Sequence, residues 1–78
     1  MIIPDKMQIL ETRCFRAVKS LETITIKSTD LIFDDCGSDI FDGCTKIAKV
    51  TMPKQYNTTE WREDKFAFAS TGIDYSFI

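Results

Sequence analysis

Apolar and polar positions alternate along two short stretches of this chain, and each stretch follows an aromatic residue at the same distance. In Leu21-Glu22-Thr23-Ile24-Thr25-Ile26 the residues Ile24 and Ile26 fall on one face of an extended strand, with Thr23 and Thr25 on the other, and Leu21 is a further apolar position just ahead of the strand. Ile47-Ala48-Lys49-Val50-Thr51-Met52 repeats that arrangement. Phe15 and Phe41, Leu21 and Ile47, Ile24 and Val50, Thr25 and Thr51, and Ile26 and Met52 are each 26 positions apart, with no gap. Self-similarity at such a period marks a stack of like units. The pattern predicts strands near Met1–Ile3, Thr23–Ile26 and Lys49–Met52, and a fourth near Asp74–Phe77.

The flanks extend the unit. Pro53 follows Met52 as Pro4 follows Ile3, while Lys27 takes that place after Ile26. Proline has no N–H to donate, so it stops a ladder. From Pro4 the apolar positions are Met7, Leu10, Cys14 and Phe15. A worn third copy places Phe66 on Phe41, Gly72 on the leucine position, and Tyr75 and Phe77 on Val50 and Met52. One such unit cannot bury its own apolar side, whereas stacked units share a continuous core. Phe15, Phe41 and Phe66 are then expected to stack behind the sheet.

With those positions in hand, Phe41-Asp42-Gly43-Cys44-Thr45-Lys46-Ile47-Ala48-Lys49-Val50-Thr51-Met52-Pro53 resembles the BspA-like leucine-rich repeat family. That family's unit runs roughly A-F-x-x-C-x-x-L-x-x-I-x-I-P-x-x-V-x-x-I. Phe41, Cys44, Ile47, Val50, Met52 and Pro53 fill it in order, and Pro4, Met7, Leu10, Cys14, Phe15, Leu21, Ile24 and Ile26 fill the preceding unit. The departures are Ile40 for alanine, Val18 for cysteine or asparagine, Lys27 for proline, and a longer turn over Asp34–Asp39. The resemblance implies an α/β, mainly β, leucine-rich repeat solenoid with a small parallel sheet on one face. It would form one short domain over residues 1–78, of about three repeats at roughly 4–26, 27–52 and 53–78. Many family members are surface adhesins or host-contact proteins, which carry export signals.

Composition narrows the function classes. At 78 residues the chain is near the lower limit for a single core, and its 44% hydrophobic content suits a globular fold. Ten basic and twelve acidic residues leave a net charge of −2, without the basic stripe of a nucleic-acid binder. No stretch has the length of a membrane span, and Met1–Leu10 does not read as a signal peptide. Cys14, Cys36 and Cys44 form neither an even disulfide set nor a zinc pattern. Reduced, mostly packed thiols and a cytoplasmic location are expected.

Catalytic chemistry finds no foothold in the sequence. Without histidine there is no Ser–His or Cys–His nucleophile, and Gly37, Gly43 and Gly72 make no phosphate-cradling loop. Gly43 reads as a turn glycine at positive φ. Asp34, Asp35, Asp39 and Asp42 crowd one turn, but their spacing is not that of a calcium loop, so a solvated acidic turn is the expectation. Cys44 is expected to pack. Trp61 is either an exposed interface anchor or a cap over the end of the core.

The expectation is therefore a non-enzymatic module with no cofactor and no metal. It would bind a protein partner through Thr23, Thr25, Lys49, Thr51, Asp74 and Ser76 on the strand face, with Trp61 beside them. A self-assembling structural protein is the alternative function, and in either case a homodimer or an obligate partner, joined through the solenoid ends or an edge strand, is expected. A small inhibitor of a host protein, of the kind phages and mobile elements carry, is a second alternative.

Overall fold

A computed structural model describes residues 1–68 and 70–78. Strands β1 (Ile2–Ile3), β2 (Thr23–Ile26), β3 (Lys49–Met52) and β4 (Asp74–Phe77) lie parallel in one sheet, in chain order. Ile3 pairs with Ile26, Ile24 with Val50, Val50 with Tyr75, and Met52 with Phe77. Like positions of successive units therefore sit side by side. Ile24, Ile26, Val50 and Met52 are essentially inaccessible to water, as the alternation requires of the inward set. Among the described residues, helical structure is confined to a 3-10 turn at Lys54–Tyr56 and a π-helical segment at Glu60–Lys65, so the connections between strands are mainly turns.

The 26-residue recurrence is written into the backbone behind the sheet as well. Arg13 and Asp39 both adopt positive φ (56° and 54°), and so do Ala17 and Gly43 (57° and 77°). The turns at 13–17 and 39–43 share one path. They are stitched by Phe15 N–H to Ile40 C=O (3.1 Å) and Ala17 N–H to Asp42 C=O (2.7 Å). The Cys44 thiol donates to the Phe15 carbonyl (3.1 Å), and the Phe15 and Phe41 rings stack at 5.5 Å. Gly37 is required by close approach, because a Cβ there would lie 2.1 Å from the Thr12 amide nitrogen.

Beyond β3 the strand keeps the expected register, Tyr75 on Val50 and Phe77 on Met52, but the turn before it differs. Phe41 stacks on Phe68 (5.5 Å, 20° between planes), while Phe66 lies tilted against it and fully buried. Ile73, not Gly72, packs against the core; Gly72 adopts a φ of +72° in open space. A turn of different length shifts the apolar residue by one position. Two further observations concern single side chains. Cys14 is exposed, although Ile40 at the corresponding place in the next turn is buried, and Cys36 and Cys44 are buried. Ile40 is fully buried where the family unit has alanine, so the larger side chain fills the core.

Trp61 is also buried. It packs against Tyr56 (4.8 Å), Phe66 (5.3 Å) and Phe33 (5.3 Å). Phe33 comes from the lengthened turn after Leu31, which folds over the tryptophan and is itself held by the Lys65 ammonium 4.4 Å above its ring. Beneath this cluster the Tyr56 hydroxyl accepts a hydrogen bond from the Leu31 N–H (3.1 Å). The buried Ser28 donates to the Met7 carbonyl and accepts from the Asp30 N–H. The Ser28 and Tyr56 hydroxyls are thus paired across neighbouring rows, whereas the buried Arg62 Nε has no hydrogen-bond partner among the described residues.

A candidate interaction surface on the sheet

The side chains that alternation excludes from the core form two lateral rows on the sheet's outer face. Thr23, Lys49 and Asp74 are aligned in register and exposed. Thr25, Thr51 and Ser76 form the second row, each half-buried, and Ile2 stands at its head beside Thr25. Neighbouring strands lie about 4.8 Å apart, so the three hydroxyls recur at that interval. Their positions are firmly held, because each strand's other face is locked into the core.

Six of the seven residues expected to meet a partner are therefore brought together on one face. Trp61 is not among them: only 8% of it is exposed, and its ring lies inside the aromatic cluster. The exposed-anchor alternative does not hold. The sequence reading also missed Ile2, which is 62% exposed. Its position between inward Met1 and Ile3 carried that signal, had the alternation been followed to the first strand.

Chemically, the face offers hydroxyl donors and acceptors, one ammonium and one carboxylate around an exposed aliphatic residue. Lys49 lies beside Asp74 in register, so the charges of that row are mixed. The aspartate turn lies elsewhere and is partly neutralised: Arg13 approaches Asp39 (3.9 Å) and Arg16 approaches Asp42 (3.6 Å). Both pairs are largely exposed and worth little individually. Among the described residues, no group of three or more histidine, cysteine, aspartate or glutamate side chains is placed to hold a metal, and no pocket opens.

Two titratable groups are perturbed. Partial burial pushes the Cys14 thiol up from its ordinary value, with the Glu11 and Cys14 backbone groups opposing. Partial burial also raises the Tyr75 phenol, and the Arg62 guanidinium, 5.7 Å over its ring, opposes that shift. A separate apolar group on the connections, Ile9, Ile32 and Phe33, is exposed and was not anticipated from the sequence. Among the described residues, no helix is long and apolar enough to cross a membrane.

Comparison with known proteins gives one match. Residues 1–76 match the family model described as BspA type Leucine rich repeat region (6 copies). No curated protein and no solved structure matches the chain.

Proposed function

The chain belongs to the BspA-type leucine-rich repeat family, and on that premise we propose that it is a non-enzymatic protein-interaction module using the outer face of its sheet. Its three repeats, at roughly 4–26, 27–52 and 53–78, stack as a short solenoid, each contributing one strand. The observation that carries the reading is the alignment of Thr25, Thr51 and Ser76 beside Thr23, Lys49 and Asp74 on one rigid, solvent-facing surface. Such a surface suits a protein better than a small molecule, since it is open and its polar groups recur along one direction. The three free thiols fit a reducing compartment, and the reading places the protein in the cytoplasm.

A second reading, self-association, is favoured by the half-buried Tyr75 and Phe77 on β4. The sheet face and the β4 edge are different surfaces, so the two readings are compatible. Inhibition of a host protein would be one form of the first reading.

The experiment for the face is affinity capture from the source cells by the 78-residue protein and by a Thr25→Arg, Thr51→Arg double variant. Both positions are outward but pair in register, so the two new charges repel one another, and capture is compared at a temperature below the melting point measured for each protein. A protein captured by the parent and lost with the variant supports the face. Equal recovery of every captured protein by both would reject it.

A further inference from the structure

The two outer strands of the sheet leave different groups unpaired. In a parallel ladder, a residue that turns its N–H and C=O to one neighbour is followed by one that turns them to the other side. Met1 C=O accepts from Thr25 N–H (2.8 Å), and Ile3 C=O accepts from Lys27 N–H (2.9 Å). On β1, therefore, Ile2 and Pro4 face away from the sheet, and Pro4 has no N–H. On β4, Asp74 N–H donates to Ala48 C=O (2.8 Å), and Ile78 N–H donates to Met52 C=O (3.0 Å). By the same alternation Ser76 also turns to β3, while Tyr75 and Phe77 direct their backbone groups outward. The β1 edge is blunted; among the described residues, the β4 edge carries two donors and two acceptors without a partner.

The core beside β4 is also incompletely covered. Phe68, Ile73, Tyr75 and Phe77 are only partly buried, whereas Phe41, Val50 and Met52, one row further in, are 0% exposed. The Tyr75 and Phe77 rings lie parallel, 6.2 Å apart and 2° from coplanar in orientation. Together these side chains form an apolar wall directly behind the unpaired backbone.

We propose that the β4 edge docks a second copy of this chain, strand against strand, antiparallel about a twofold axis. The proposal deepens the self-association reading and rests on the stacked fold which that reading assumes. β4 is self-complementary in one register. Tyr75 faces Phe77 of the second copy, and Phe77 faces its Tyr75, so each pair exchanges both backbone bonds. On the inner face the pairing sets aromatic against aromatic, continuing the core across the axis. On the outer face Ser76 meets Ser76 at the centre. The two Asp74 residues are four positions from direct opposition, ~13 Å along the strand, beyond the Debye length of ~8 Å at physiological salt. Joining β4 to β1 instead would engage only Ile2 fully, because Pro4 lacks a donor, and would not close. A one-strand interface is smaller than a standard one, so the dimer forms with a dissociation constant on the order of tens of micromolar.

Light scattering of the 78-residue protein across ~1 to ~200 µM spans that range. The mass is expected to rise from monomer to dimer and stop there. Ser76→Lys sets two ammonium groups face to face at a position outside the core. It is expected to weaken the dimer at least ~10-fold while leaving the monomer's melting curve in place. Ser76→Cys, in a Cys14→Ser background, brings two thiols onto strands with Cα atoms ~4.5 Å apart, within disulfide range. Mild oxidation should link that variant as a dimer, and Thr25→Cys in the same background should not link. A monomer at every concentration overturns the proposal. So does a dimer that survives Ser76→Lys and fails to cross-link at position 76, or growth into open-ended assemblies. Capture by the sheet face is read separately, with Thr25→Arg and Thr51→Arg, and its failure leaves the β4 result intact.

Discussion

Tyr56 illustrates how single side chains hold this small fold. It is almost fully buried, yet its hydroxyl satisfies the Leu31 N–H in the row before it. Tyr56→Phe is expected to cost about 1–3 kcal/mol by leaving that amide unpaired, measurable as a shift in the urea midpoint. Phe41 sits between Phe15 and Phe68 and touches no water, so Phe41→Ala is expected to cost about 3–5 kcal/mol. Thr51→Ala, on the outer face, should stay within about 0.5 kcal/mol. Equal losses from Phe41→Ala and Thr51→Ala in thermal melts would contradict the assignment of faces. Tyr75 adds a pH dependence. Its phenol is raised above the ordinary value of 10.0 by partial burial, so the folded state holds that proton more tightly than the unfolded chain. The corresponding stability is complete below pH 10.0 and is lost as the pH climbs toward the raised value. In a Cys14→Ser background, the alkaline decline should flatten in Tyr75→Phe; an identical decline in both proteins would remove Tyr75 as its cause.

At the scale of elements, the strands were legible because a period of two needs only side-chain polarity to be read. Ile24 and Ile26 against Thr23 and Thr25 already placed β2, and the 26-residue offset placed β3. The third turn was less legible. Its aromatic run contains both Phe66 and Phe68, and only packing decides which one continues the stack on Phe41. Gly72 fitted the leucine position by counting, yet the turn lets Ile73 take the apolar role. The site was legible to the same degree as the strands: outward positions followed from alternation, whereas the burial of Trp61 depends on a turn 28 residues upstream that carries Phe33. The turns themselves can be tested through their glycines. Gly37→Ala would press a methyl into the Thr12 backbone and should be strongly destabilising. Gly43→Ala should cost only about 1–2 kcal/mol, the usual penalty for positive φ, since Ala17 already adopts that conformation at the corresponding place. If the two variants melt together, the close approach at Gly37 is not what demands glycine there.

For the whole molecule, a Cα radius of gyration of 11.1 Å matches the roughly 11.5 Å expected of a compact chain of this length. The stack is therefore short: its extents of 26 × 24 × 21 Å leave it about as wide as it is long. On the proposed function, recognition falls to the outer face of the sheet. The acidic turn does not compete for that role, because Asp39 and Asp42 already face Arg13 and Arg16. Calcium or a chelator should accordingly leave the melting temperature unchanged, and a rise of several degrees with calcium, reversed by chelator, would assign the turn to a metal. The central claim is that the outer sheet face meets another protein. A photo-activated cross-linker placed at Thr51 and, in a second protein, at the exposed Glu11 on the connections, tests it most directly in the source cells. The account expects the Thr51 probe to capture a protein other than this chain and the Glu11 probe to miss it. Capture of the same protein from Glu11 alone, or of nothing but this chain from Thr51, would contradict it.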